Sequence, residues 1–61
     1  MATLDTEILI SRLAFNRRDR DIAAEFSMPE ADVHRMVSDL AARHGILTKA
    51  ELCARAARGM L

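Results

Sequence analysis

The chain contains few of the residues that interrupt helices. One Pro and two Gly occur in 61 residues, and 51% of the residues are hydrophobic. A disordered segment has the opposite composition, so these values exclude a disordered tail and predict a compact helical domain. A chain of this length buries only about 60% of its unfolded surface. We therefore expect one marginally stable domain, residues 1–61, that a partner subunit would stabilise.

Cysteine and long hydrophobic runs are scarce too. Cys53 is the single cysteine, so an internal disulfide is excluded. No apolar run is longer than three residues, as at residues 8–10, and the N-terminus lacks the pattern of a signal peptide. These absences predict a cytoplasmic protein without membrane contact. The initiator-like start, MAT, favours a complete chain.

The chain also lacks net charge. Nine Lys and Arg residues balance nine Asp and Glu residues. Small DNA-binding domains are more often basic, because neutralisation of phosphates supplies most of their non-specific affinity. The zero net charge argues mildly against a nucleic-acid partner. Binding to DNA depends on the charge of one face rather than on the net charge of the chain.

Residue patterns typical of catalysis or metal binding are missing. There is no nucleophile with a plausible base and no Gly-rich phosphate loop, and so small a domain rarely encloses a pocket. His34 and His44 have no Cys or acidic partner at a recognised metal spacing. We expect His34 to be exposed and His44 to be a partly buried packing residue. We expect no enzyme activity, cofactor, metal site or small-molecule ligand. Cys53 lies on an apolar helix face and is expected in the core.

Apolar residues at helical spacing divide the chain into four segments, and no stretch alternates as a strand does. The predicted helices span residues 5–15, 17–26, 29–44 and 48–61. Asp5 or Thr3 can cap the first helix, and Asn16 and Gly45 suit the left-handed conformation just past the first and third helices. Thr48 and Glu51 have the spacing of a capping box.

The apolar stripes of the four segments predict the core: Leu9, Ile10, Leu13, Ala14, Ile22, Ala23, Phe26, Val33, Met36, Val37, Leu40, Ala41, Leu52, Cys53, Ala56 and Met60. In the last segment a second strip of small apolar residues remains: Ala50, Ala54, Ala57 and Leu61. A helix that is apolar on most sides is buried on most sides, so this strip predicts a dimer interface with a second copy or with another protein. The alternative is that alanine serves only as a helix former.

The stretch IAAEFSMPEADVHRMV, residues 22–37, has the outline of a helix-turn-helix. Pro29 disfavours helical geometry at Met28 and suits the first turn of a new helix. Residues 13–61 resemble, without a gap, the DNA-binding domain of LuxR/GerE-type transcription regulators. That family's pattern reads roughly LTxREREVLxLLAxGxSNKEIAxxLxISxxTVKxHVxxIxxKLGVxSRxEAVxxAxxxGLL. The tail HGILTKAEL is the most specific part of the resemblance.

The resemblance implies an all-α, four-helix LuxR/GerE-type helix-turn-helix domain. Its third helix, residues 29–44, would lie in the major groove, and its fourth helix would form a symmetric dimer. The implied groove-facing residues are Asp32, His34, Arg35, Ser38 and Asp39. The implied phosphate-contacting residues are Arg18, Arg20, Arg43 and Lys49. The alternative for these cations is a solvated helix face, with pairs such as Arg20 with Glu25 and Asp39 with Arg43.

The departures from the family pattern favour a second function. Asp32 stands where the family has Thr, and Asp32 and Asp39 place two carboxylates where the polyanion would lie. Most family members also carry a sensing domain before this one, and none is present in this sequence. The first prediction is a small regulator that binds duplex DNA as a dimer. The alternative is a protein-binding module, an antiactivator or modulator, that pairs with a larger regulator and does not bind DNA.

Overall fold

The computed structural model describes residues 3–61, and within them the chain forms four α-helices and no β-strand. The helices are α1 (Thr6–Ala14), α2 (Asp19–Phe26), α3 (Glu30–Arg43) and α4 (Lys49–Ala57). The prediction of an all-α fold with four helices is therefore confirmed. Pro29 is the N-cap of α3 rather than its first residue, because its ψ of 140° is still extended.

Two of the helices begin at a side-chain cap. An Asp5 carboxylate oxygen accepts a hydrogen bond of 2.9 Å from the backbone N–H of Ile8, and the Thr48 hydroxyl accepts one of 3.2 Å from that of Glu51. The Thr48 cap was predicted, and of the two caps predicted for the first helix the structure has Asp5 and not Thr3. The Glu51 carboxylate bonds Arg55 at 2.9 Å instead of reaching back to Thr48, so the predicted capping box is closed on one side only.

All four helices end in the same way, at a residue with positive φ. These residues are Asn16 (57°), Ser27 (52°), Gly45 (65°) and Gly59 (70°). In each case the next backbone N–H donates to a carbonyl five positions earlier, as in the Schellman motif. Because the chain turns away so sharply at these residues, every connection is short.

The end of α4 differs from the prediction. The sequence pattern extended this helix to Leu61, but it ends at Ala57 with Arg58 as its C-cap. The N–H of Met60 bonds the Arg55 carbonyl at 2.8 Å across the left-handed Gly59, which closes the helix. Met60, predicted in the core, is consequently 59% exposed.

The helices pack as two pairs, α1 against α4 and α2 against α3, with α1 also contacting α3. Twelve hydrophobic residues are buried between them: Leu4, Leu9, Leu13, Ile22, Ala23, Val33, Val37, Leu40, Ile46, Leu52, Cys53 and Ala56. The prediction that Cys53 belongs to the core is confirmed, whereas Leu4 and Ile46 were missed. No polar side chain is buried in residues 3–61.

The helices are short relative to a bilayer. None that the structure describes between residues 3 and 61 is long and apolar enough to span a membrane.

Candidate nucleic-acid interface

The connection between α2 and α3 sets the direction in which α3 leaves its neighbour. It consists of residues 27–29. Ser27 adopts the left-handed conformation, and the N–H of Met28 bonds the Ala23 carbonyl at 3.0 Å. Pro29 then fixes an extended backbone before α3 begins. A turn of three residues therefore joins α2 to α3, and α3 exposes one long face.

Asp19 connects three helices on one side of the pair α2–α3. Its Oδ1 accepts a hydrogen bond of 2.8 Å from Lys49 Nζ, and its Oδ2 lies 3.2 Å from His34 Nδ1. Asp19 belongs to the first turn of α2, His34 to the exposed face of α3, and Lys49 is the first residue of α4. The first turn of α2, the exposed face of α3 and the start of α4 thus meet at one surface, which we term the Asp19 surface. It carries Asp19, His34, Ser38 and Lys49, and Arg18 and Arg20 flank Asp19 in sequence.

The charge state of Asp19 follows from its partners. Its side chain is only 17% exposed, and this partial burial opposes ionisation. The hydrogen bonds from Lys49 and His34 and their positive charge outweigh burial, so the pKa of Asp19 lies below its ordinary value. The carboxylate is therefore ionised at neutral pH and balances the charge of Lys49.

The predicted groove-facing residues lie mostly in solvent. His34, Arg35, Ser38 and Asp39 are exposed, so the predicted exposure of His34 is confirmed. The prediction that His44 is partly buried is wrong, because His44 is the C-cap of α3 and is exposed. Asp32 is partly buried, and its Oδ1 lies 3.9 Å from Arg35 NH1. This distance is at the limit of an ion pair, and such exposed pairs contribute little to stability.

The predicted phosphate-contacting residues divide into two groups. Lys49 is held by Asp19, whereas Arg18, Arg20 and Arg43 are exposed and form no salt bridge with any residue between 3 and 61. The alternative pairings, Arg20 with Glu25 and Asp39 with Arg43, are absent from the same part of the chain. Within the described part of the chain, these three arginines therefore have no carboxylate partner and can bind an external anion.

The Glu25 carboxylate forms an ion pair with Arg12 of α1 instead. Arg12 Nε and NH2 donate to its two carboxylate oxygens at 2.6 to 3.1 Å, and the Arg12 guanidinium lies 5.6 Å from the centre of the Phe26 ring. The hydrogen bond with Arg12 lowers the pKa of Glu25 and raises that of Arg12. This pair joins α1 to α2, so Arg12 is not available to bind an external anion.

A small apolar hollow adjoins the Asp19 surface. It has a volume of about 240 Å³ and lies between α3, the following loop and α4. Its apolar lining comes from Val37, Ala41, Leu47 and Leu52, and its polar rim includes Asp19, His34, Ser38 and Lys49. We term it the α3–α4 groove. Leu47 stands at its edge with 95% of its surface exposed.

The predicted dimer strip on α4 is only partly in place. Ala50 and Ala57 are exposed and Ala54 is partly buried, so these three can meet a partner. Leu61 lies beyond the end of the helix and packs, partly buried, against the core. The strip that α4 itself presents is therefore Ala50, Ala54 and Ala57.

Two features of this surface were not predicted from the sequence. Asp19 looks like an ordinary acidic residue at a helix N-terminus, and its partners lie 15 and 30 residues away in sequence. Leu47 lies between the buried Ile46 and the N-cap Thr48. A large apolar residue in a short loop was the one feature of the sequence that could have indicated its exposed position. Between residues 3 and 61, no group of three or more His, Cys, Asp or Glu side chains is placed to hold a metal ion.

Comparison with known proteins adds no relative. No family model, curated protein or solved structure matches the chain.

Proposed function

We propose that the chain is a LuxR/GerE-type helix-turn-helix domain that binds duplex DNA, with α3 in the major groove. The observation that supports this most is the placement of the first turn of α2 and the exposed face of α3 on one surface. In helix-turn-helix proteins the second helix contacts base edges while the first crosses the phosphate backbone. Arg18 and Arg20 stand at the position where α2 would meet that backbone.

The free cations define how strongly this surface can bind. Arg18, Arg20 and Arg43 are available for phosphate contacts, and Lys49 is balanced by Asp19. Each phosphate contact on duplex DNA contributes about 0.9 to the slope of log K against log salt, so three contacts give a slope of about −3. That is a modest electrostatic term, and it predicts weak non-specific binding.

Specificity would come from the middle of α3. Arg35 is exposed there and can donate two hydrogen bonds to a guanine edge, and Asp39 can accept one from a cytosine amino group. Reading by a carboxylate makes use of a residue that would otherwise repel phosphate. Asp39 thus acts in base readout, and the charge of Asp32 is partly offset by Arg35, 3.9 Å away.

Matched substitutions test the assignment. Arg20→Ala should weaken binding to all duplexes alike, whereas Arg35→Ala should cost about 1–3 kcal/mol on the selected site and relax its sequence preference. Arg58→Ala is the control, because it removes the same charge from an exposed residue at the far end of α4. The assay is fluorescence anisotropy of a labelled duplex. Equal affinities for all three variants and the wild type would contradict the proposal.

Dimerisation through α4 on paired half-sites completes this proposal. Ala50, Ala54 and Ala57 are small enough to let two helices approach closely. Ala54→Glu should therefore abolish the gain in affinity that a palindromic duplex has over a single half-site. An undiminished gain would show that the copies do not meet through this strip.

The exposed α4 strip also supports a second candidate function. A protein-binding module would use Ala50, Ala54 and Ala57 to pair with a larger regulator and modulate it without contacting DNA. The balanced charge of the chain and the capture of Lys49 by Asp19 favour this candidate. Purification of the tagged chain from its host distinguishes the two functions. A stoichiometric protein partner that Ala54→Glu removes supports the module, and its absence contradicts it.

A further inference from the structure

Asp19 constrains the histidine on the exposed face of α3. Asp19 Oδ2 lies 3.2 Å from His34 Nδ1, and Asp19 Oδ1 accepts the hydrogen bond from Lys49 Nζ. An ionised carboxylate accepts hydrogen bonds and has no hydrogen to donate. The proton between Asp19 and His34 is therefore carried by Nδ1 of the imidazole, and this N–H donates to Asp19 Oδ2.

This hydrogen bond determines what the other ring nitrogen can do. A neutral imidazole has one N–H group, and its second nitrogen is an acceptor. With the proton on Nδ1, Nε2 of His34 has a lone pair and no hydrogen. The side chain is 73% exposed, and Nδ1 is the ring nitrogen that faces Asp19. The end of His34 that meets an external ligand is thus an acceptor and not a donor.

We propose that Asp19 is a positioning residue for base readout: it holds His34 in the Nδ1–H tautomer, so that Nε2 accepts a hydrogen bond from the amino group of cytosine or adenine. This inference rests on the proposed function, with α3 in the major groove. In that groove cytosine N4 and adenine N6 are donors, whereas guanine presents only the acceptors O6 and N7. Because two acceptors cannot share a hydrogen bond, this tautomer rejects guanine, and it equally rejects a phosphate oxygen.

Lys49 makes the effect of an amide at position 19 definite. Lys49 Nζ is a donor only, so in Asp19→Asn the amide oxygen faces Lys49 and the amide NH2 faces His34. The NH2 then donates to Nδ1, which must lack its proton. The proton is carried by Nε2 instead, and the exposed end of His34 becomes a donor. Asp19→Asn should therefore invert the hydrogen-bonding character of His34 while the histidine itself is unchanged.

Long-range ¹H–¹⁵N NMR spectra of the DNA-free chain test the tautomer directly, because protonated and bare ring nitrogens give separate ¹⁵N signals. The spectra are recorded at about pH 8.5, where a histidine side chain is neutral. In the wild type Nδ1 of His34 should carry the proton, and in Asp19→Asn Nε2 should carry it. His44, exposed at the end of α3, is the internal control, and its signals should be the same in both proteins. Asp21→Asn, in the same turn of α2, should leave the tautomer of His34 unchanged.

Selection of sites from a pool of random duplexes tests the base readout. The wild type should favour cytosine or adenine at one position where His34→Ala has no preference. The expected preference is about threefold to tenfold in affinity, the usual range for one hydrogen bond. Asp19→Asn should favour guanine at the same position, because the major-groove edge of guanine presents acceptors alone. Asp21→Asn should select the wild-type sequence.

The two experiments separate this inference from the proposed function. A wild-type His34 with its proton on Nε2, or with protons on both nitrogens, overturns the inference even where the chain binds DNA. Selection of the same base by the wild type and Asp19→Asn also overturns it. Absence of duplex binding by every variant contradicts the proposed function, and the readout fails with it while the tautomer result stands. Should circular dichroism show that Asp19→Asn does not fold, the wild-type spectrum and the selection with His34→Ala still decide.

Discussion

Asp19→Asn tests how much the bonds from Asp19 to Lys49 and His34 contribute to the stability of the fold. The amide has nearly the shape of the carboxylate but lacks the charge that binds Lys49 and His34. An exposed ion pair contributes about 0.2–1 kcal/mol. Asp19 is 17% exposed and has two partners, so we expect a loss of about 1 kcal/mol at neutral pH. In a domain of this size that corresponds to a decrease in Tm of about 4–8 °C.

The pH dependence of this loss has a definite sign. Because the pKa of Asp19 is lowered in the folded protein, its contribution is fully present above the unfolded pKa of about 3.9. It is lost as the pH falls through the lower, folded pKa. The difference in stability between the wild type and Asp19→Asn should therefore persist from neutral pH down to about pH 5 and vanish in stronger acid.

Asp21→Asn is the matched control for this experiment. Asp21 lies in the same first turn of α2 and has the same favourable interaction with the helix dipole, but it is exposed and forms no salt bridge within residues 3–61. Thermal unfolding followed by far-ultraviolet circular dichroism would give Tm for both variants. Equal melting temperatures for Asp19→Asn and Asp21→Asn at neutral pH would refute the idea that Asp19 holds α2, α3 and α4 together.

Three further substitutions test the fold. Ser27→Gly should stabilise the domain by up to about 1 kcal/mol in urea unfolding, because Ser27 has a φ of 52° that favours glycine; a loss of stability would contradict this. Gly45→Ala should cost about 1–2 kcal/mol through its backbone alone, since nothing lies within 4 Å of the added carbon, and an unchanged midpoint would be inconsistent with the left-handed cap. Leu13→Ala, at a fully buried position, should cost about 2–5 kcal/mol and leave the far-ultraviolet helix signal largely lost at room temperature.

The features that the sequence predicted correctly are local ones. The apolar stripes of α1 and α3 repeat within a few residues, and Asn16, Gly45 and Thr48 act on backbone groups close to them in sequence. Periodicity and capping preferences capture such effects directly. The all-α architecture with four helices followed from them.

The features that the sequence did not predict depend on contacts between helices or on competing end signals. Asp19 acquires its role only when α2 lies beside α3 and α4, and Glu25 pairs with Arg12 of α1 rather than with a neighbour on its own helix. The end of α4 was placed too late, because the apolar periodicity continues through Gly59 to Leu61. Ser27 was missed because serine seldom adopts a left-handed conformation.

We propose that the first turn of α2 and the exposed face of α3 bind the phosphate backbone and the base edges of duplex DNA. The most direct measurement is fluorescence anisotropy of a labelled random duplex of about 20–30 base pairs, long enough for two half-sites one helical turn apart. It should be titrated with the wild-type chain at low and at moderate salt. We predict weak binding whose log K falls with log salt with a slope of about −3. Absence of binding at low salt, or binding that does not respond to salt, would contradict the account.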